Sequence, residues 1–388
     1  MQQDIVHTIF LIFTGAAVLA TVALYARQAL LVVYILLGLL LGPSVLGLVS
    51  DPDVIGDIAH IGIIFLLFLM GLELNPREFM TLMGKTILVT LASSLVFWCS
   101  GTLLALLFGY TLREALLIGS VMIFSSTIIG LKLLPTTVLH HQRTGEIIIS
   151  ILLLQDFIAI LLLLVIEGST TQGYTIPEFV KLALALPLLI GGAILIVRKV
   201  LLRLLQKFDT FREYIFLLAI GWCLGMAEAA AALGVSHEIG AFVGGVTLAS
   251  SPISLYMSEN LKPLRDFFLV LFFFSLGAGF DLGMLGAVLL PALVFALLAV
   301  AGKPPVFRFL LARSGESGKR AGEIGARLGQ LSEFSLLVSI LALERELIGI
   351  EASYLIQLAT LLTFFASTYL VVLCYPTPIA LSDELRRN

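Results

Sequence analysis

The apolar positions of this chain fall in long runs, not in the alternating or 3.6-residue stripes of half-buried strands and helices. From Ile147 to Ile166 only Ser150, Gln155 and Asp156 interrupt the run. About 20 apolar residues, rising about 1.5 Å each in a helix, cross a bilayer core of about 30 Å. Thirteen such runs predict transmembrane helices at 7–26, 30–49, 57–74, 87–109, 114–135, 145–167, 176–205, 213–233, 236–250, 262–281, 283–312, 321–345 and 351–375. The ninth is short and reads as tilted or half-inserted. The eleventh is too long for one straight pass, so a bend at Pro304-Pro305 is expected. The pattern predicts an all-α polytopic membrane protein.

Charge placement tests that reading. With the N-terminus outside, 18 of the 23 Lys and Arg residues fall in inner loops or their margins. The outer loops hold only Arg113, Lys181 and Arg345, while Lys303 and Arg327 lie within spans. Basic residues favour the cytoplasmic side, so the expected topology is N-out and C-in. The start, Met1-Gln2-Gln3-Asp4, lacks the basic flank of a signal peptide, and the first span is expected to be retained.

The two halves echo each other. Phe68-Leu69-Met70-Gly71-Leu72 in the third span resembles Phe274-Ser275-Leu276-Gly277-Ala278 in the tenth. Gly38 and Gly42 likewise echo Gly240 and Gly244, at an offset of 202 residues against 206 for the first pair. Seven spans separate the partners, and an odd number turns the second copy upside down. Inverted repeats are frequent in secondary transporters, whose sites lie near the midplane where the repeats meet.

Composition supports the same class. Apolar residues make up 59% and charged residues 13%, against roughly 45–50% and about 25% in soluble domains. A net charge of −3 gives no reason to expect a nucleic-acid partner. Cys99, Cys223 and Cys374 lack metal-ligand spacing and read as small core residues. There is no H-E-x-x-H, G-x-S-x-G or potassium-filter motif. Gly318-Lys319 fails as a phosphate loop, because Arg313 and Arg320 stand where Gly and Ser or Thr are needed.

Asp156 carries the sharpest chemical signal. A carboxylate at mid-bilayer costs several kcal/mol or more by most estimates, and is seldom present without a use. Burial disfavours its charged form and an arriving cation favours it, so proton and cation compete for one group. The alternative is a structural carboxylate bonded between helices. Gln155 adds an oxygen or a clasp but no charge. In the fifth span Ser125-Ser126-Thr127 precede Gly130, a weak helix whose hydroxyls and carbonyls suit sodium or potassium. Adding 206 to Ser125 and Ser126 lands on Leu331 and Ser332, beside Glu333. Two broken helices crossing around an ion follow, unless the hydroxyls merely bend their own helices. Glu333 reads as a structural partner in that crossing, and a break would let Arg327 pair with it. Lys303 either snorkels to the inner interface or pairs with a carboxylate such as Asp156; position alone favours snorkelling. Glu73, Glu228, His237 and Asp281 read as interfacial.

At Leu153-Leu154-Gln155-Asp156-Phe157 the chain resembles the Kef-type potassium/proton antiporters of the monovalent cation:proton antiporter-2 superfamily. Gly71-Leu72-Glu73-Leu74, Ser125-Ser126-Thr127, Gly240-Ala241-Phe242, Phe272-Phe273, and Gln330 with Glu333-Phe334 extend the likeness over nearly the whole chain. The resemblance implies a homodimer in the cell membrane. A scaffold would comprise spans 1–3 (1–81) and 8–10 (211–281). An ion-carrying core would comprise spans 4–6 (82–170) and 11–13 (282–388, with a short cytoplasmic tail), joined by span 7 (171–210). It further implies that Asp156 binds proton and monovalent cation with Ser125 and Thr127, and that Lys303 faces the carboxylate. Gln155, Ser126, Ser332, Arg327 and Glu333 would support the site. No cofactor is implied beyond the transported ions. Leu331-Ser332 replaces the family's usual glycine pair, so a narrower second break is expected. The nucleotide-binding regulatory domain that follows the membrane part in Kef proteins does not follow here before Asn388; either the chain is a short relative or it is truncated, and a regulatory domain or subunit outside it is an implied partner. The expected function is electroneutral potassium/proton exchange. Sodium/proton exchange, a gated cation channel and a non-transporting scaffold subunit are the alternatives.

Overall fold

The helices of the computed structural model follow the apolar runs, but several runs do not become single continuous helices. The structure describes residues 5–49, 52–74, 76–132, 143–167, 176–208, 210–251 and 253–377. Met1–Asp4, the end of the fifth predicted span (133–135), the boundary at 170–171, and Arg386 and Arg387 lie outside the described residues. The helices are α1 (Ile5–Tyr25), α2 (Leu30–Leu41), α3 (Pro52–Glu73), α4 (Pro76–Leu107), α5 (Leu112–Val121), α6 (Thr127–Lys132), α7 (Arg143–Glu167), α8 (Ile176–Ile196), α9 (Leu202–Lys207), α10 (Arg212–Ala232), α11 (His237–Ala249), α12 (Ser254–Ala278), α13 (Leu285–Leu297), α14 (Lys303–Arg313), α15 (Gly318–Arg327), α16 (Glu333–Glu344) and α17 (Ile350–Cys374). Among the described residues, seven continuous helical stretches are long and apolar enough to cross a bilayer.

The fifth and twelfth predicted spans are each split. α5 stops at Val121 and α6 starts at Thr127; α15 stops at Arg327 and α16 starts at Glu333. The second interruption follows the first by 206 residues, so the repeat seen in the sequence is a repeat of structure. Equivalent serines restart the chain. Ser126 Oγ accepts from the backbone N–H of Ile129 at 3.1 Å, and Ser332 Oγ accepts from that of Phe334 at 3.2 Å. Each is an N-cap, worth about 1 kcal/mol over alanine.

The eleventh predicted span is one continuous helical stretch, Leu282–Arg313, whose register changes just before the prolines. A π-helical turn, Leu298–Gly302, joins α13 to α14. Pro304 and Pro305 lack the N–H groups an α-helix would aim at Val300 and Ala301, so the register changes there. A second π turn, Val197–Leu201, joins α8 to α9.

The chain divides into two compact units. One comprises Met1–Ala16, Tyr34–Phe79 and Gln172–Gly279; the other comprises Ala17–Val33, Met80–Thr171 and Phe280–Asn388. In the first, α3 packs on α11 and α12 around Phe65, Phe68, Cys223 and Leu248. Glycines set the spacing. A methyl on Gly38 would strike the carbonyl of Phe274, and one on Gly277 that of Ile35. Gly71 and Gly245 form the matching pair, meeting the carbonyls of Phe242 and Phe68. By these contacts the counterpart of Gly38 is Gly245, not Gly240, which brings the two glycine offsets to 206 and 207. Cys223 is a small core residue as expected, but Cys99 and Cys374 are exposed. In a chain whose outer face is apolar, such positions need no interior.

Candidate functional site

The second unit builds its polar centre from the two interrupted helices, with α7 and α14 beside them. Asp156, midway along α7, is 4% exposed, and Gln155 is fully buried. Thr127, the first residue of α6, donates from Oγ1 to Asp156 Oδ2 at 3.2 Å. Gln155 Oε1 accepts the backbone N–H of Ser125 at 3.1 Å, which fixes the amide orientation. Its Nε2 has no protein partner, an arrangement that suits water or a substrate oxygen. Adjacent α7 residues therefore do different work. Gln155 braces the break, while Asp156 presents charge next to it.

Lys303 is fully buried and is saturated by the crossing itself. Its Nζ donates to Phe124 O at 2.7 Å, Gln330 O at 3.0 Å and Ser125 Oγ at 3.2 Å. The two carbonyls belong to the interruptions that follow α5 and α15, where the backbone offers negative partial charge. Three charge-assisted bonds of about 1.5–3 kcal/mol each are of the same order as the cost of burying an ammonium. Lys303 therefore does not snorkel, and its hydrogen bonds go to these oxygens rather than to Asp156. The π turn before α14 delivers it there.

Further bonds close the crossing. Ser125 Oγ donates to Leu328 O at 2.9 Å, and Ser335 Oγ to Val121 O at 3.1 Å. Gln330 Nε2 donates to Ser126 O at 3.3 Å, while its Oε1 accepts from Ser367 Oγ at 2.9 Å. The N–H of Leu331 donates to Thr363 Oγ1 at 3.0 Å. Gln330, Thr363 and Ser367 complete the network and were not singled out as site residues from sequence. A signal was present in the last span, where Ser353, Gln357, Thr360, Thr363 and Ser367 recur every three or four residues in a single buried stripe.

The other predicted residues sit around this centre. Glu333 is buried at the start of α16, the favourable end of a helix for an acid. Arg327 is 1% exposed and bonds Glu323 through Nη2 at 2.9 Å and the carbonyl of Pro376 at 2.7 Å. Beyond the spans, Glu316 joins Arg143, the first residue of α7, at 2.6 Å to Arg320 at 2.8 Å. Burial pushes the Glu316 carboxyl up, but hydrogen bonds and charge from Arg320 and Arg143 outweigh it and hold it below its ordinary value. Asp281 caps a short turn through Gly283 N at 2.8 Å, and Glu73 accepts from Ser258 Oγ at 2.8 Å. Among the described residues no group of three or more His, Cys, Asp or Glu side chains is arranged to hold a metal.

An acid facing a helix break, with a saturated lysine behind it, is an arrangement suited to exchanging cations. Residues 9–374 match the profile of the family described as sodium/hydrogen exchanger, transmembrane. The chain belongs to that family. It is 28% identical over 370 residues to K(+) efflux antiporter 4 of Arabidopsis thaliana, covering 93% of this chain and 62% of that protein. It is 30% identical over 384 residues to the glutathione-regulated potassium-efflux system protein KefC of Enterobacter sp. (strain 638), covering 95% and 60%. The Kef-type resemblance read at Leu153–Phe157 is borne out, and the chain spans about three fifths of the length of these relatives. The sodium proton antiporter MjNhaP1 from Methanocaldococcus jannaschii superposes with a TM-score of 0.70 at 17% identity, over 94% of this chain and 95% of that one. This chain has the same fold, with an inverted repeat and two crossed broken helices.

Proposed function

We propose that this exchanger family member carries one monovalent cation against one proton at Asp156. The observation that carries this reading is the buried Asp156 carboxylate beside the Thr127 hydroxyl at the α5–α6 interruption. A cation arriving there meets one negative charge, the Thr127 oxygen and backbone left open by the break. A proton arriving there neutralises the same charge, so the two guests exclude each other. Ser125 contributes by holding Lys303 and Leu328, and Thr127 is the hydroxyl in reach of the ion. On the assumption that Lys303, held by three neutral oxygens, does not change charge during the cycle, one cation replaces one proton. Exchange is then electroneutral. Potassium is the favoured cation, given the Gln155-Asp156 pair and the potassium-efflux names of the relatives; sodium is the alternative.

The scaffold and dimer surface belong to the unit built on α3, α11 and α12, and the transported ion to the unit holding Asp156. The core moves as a body and opens Asp156 to each side of the membrane in turn. The basic residues of the inner loops support an outside N-terminus and a cytoplasmic C-terminus. A regulatory domain or subunit of the kind found in Kef proteins would act on the cytoplasmic end.

The test is cation-driven proton flux in proteoliposomes, comparing potassium, sodium and lithium. Asp156→Asn should reduce coupled flux to that of empty vesicles. Flux that proceeds without proton coupling would indicate a channel. A harmless Asp156→Asn would indicate a scaffold subunit. Acceleration by an imposed membrane potential would overturn the one-for-one stoichiometry.

A further inference from the structure

A cavity of about 530 Å³ opens in the first unit between α8–α9 and the last turns of α11. Its composition is divided. Ile190 and Ile194 on α8 give it an apolar wall and are 40% and 39% exposed. Arg198, Gln206, Thr247, Ser250 and Ser251 supply its polar lining. Arg198 lies within the π turn Val197–Leu201 and has no ion-pair partner among the described residues. A π turn widens the helix locally, and such turns are frequent at functional positions. Charge is biased here as well. Arg198, Lys199, Arg203 and Lys207 follow one another over ten residues with no acid between them.

An aqueous solute would gain little from the apolar wall, and a neutral lipid tail would leave the arginine without a partner. The molecule that matches both linings has a hydrocarbon chain and a phosphate. Basic pockets between transmembrane helices bind anionic head groups for this reason. We infer that this cavity is a binding site for one anionic phospholipid, with its phosphate at Arg198, Ser250 and Ser251 and an acyl chain along Ile190 and Ile194. The site lies on the helix that links the halves of the chain, so an occupied cavity would brace α8–α9 against α11.

The test uses the full chain, purified and stripped of lipid in detergent. Native mass spectrometry and thermal unfolding are read with phosphatidylglycerol, with phosphatidylcholine of the same chains, and with inorganic phosphate. Phosphatidylglycerol should bind and raise the thermal midpoint more than phosphatidylcholine. Arg198→Gln should reduce that preference about fivefold, the worth of one basic residue near an anionic surface. Ile194→Trp, which narrows the apolar wall but keeps the charge, should weaken binding of both lipids. Equal response to the two lipids, or a preference that survives both substitutions, overturns the proposal. So does stabilisation by inorganic phosphate alone, which would make this a free-anion site. A change in oligomeric state in Ile194→Trp, with lipid binding intact, would show that a second copy of the chain covers the cavity and would also overturn it.

Discussion

The Lys303 ammonium lies 5.3 Å from the centre of the Phe97 ring, and these two residues stand 206 positions apart. The same step carries α4 onto the helical stretch Leu282–Arg313 and α7 onto α17 to within one residue. Lys303 and Phe97 are therefore counterparts in the two halves, and counterparts that touch lie next to the axis relating them. One half supplies a cation at that point and the other supplies the ring face that attracts it.

Replacing Lys303 with Met should leave Phe124 O, Gln330 O and Ser125 Oγ short of a donor. A loss of about 1–3 kcal/mol is expected, read as a lower thermal midpoint in detergent. Adding Asp156→Asn should not restore stability, because the lysine is held by the crossing and not by that acid. Rescue in the double variant would show the two charges to be directly coupled.

Thr127→Val should keep the fold and weaken the apparent cation affinity about tenfold, as expected for losing one bond to a charged group. Thr127→Ser should behave almost as the parent. Half-saturating potassium in proton-flux assays distinguishes the two, and equal values for all three would remove Thr127 from the ion's surroundings.

The Glu316 bridge makes a pH prediction with a definite sign. Its carboxyl titrates below its unfolded value, held down by Arg320 and Arg143. The stabilisation it gives is complete above that value and is lost as pH falls through the lower folded one. The midpoint difference between the parent and Glu316→Gln should be largest near neutrality and shrink below about pH 4. A difference that grows on acidification would contradict the bridge.

Gly277→Ala should destabilise by about 1–3 kcal/mol, because the added methyl meets the backbone of Ile35 and not a side chain that can rotate away. Gly191→Ala on α8 provides the control. A methyl there meets nothing within 4 Å, and helix propensity alone should make it neutral or slightly stabilising.

Runs of apolar residues made the helices legible, since lipid leaves the backbone no partner but itself. Ser125-Ser126-Thr127 exposed the first break in the same way, and the 206-residue step located the second. Other features were hidden for physical reasons. The destination of Lys303 depends on a π turn, and no residue type marks a π turn unmistakably. Arg327 sits one helical turn after Glu323, and that local pair at four residues was passed over because attention went to the break. The part played by Gln330 arises from contacts made 204 and 37 residues away, beyond the reach of local pattern.

The repeat is faithful in backbone but not in chemistry. Moving from Asp156 by the common step arrives at Leu362, and from Thr127 at Glu333. Only one of the two related helices therefore carries an acid at that position. Leucine there offers no charge to a second cation, so a backbone built twice ends in a one-sided centre.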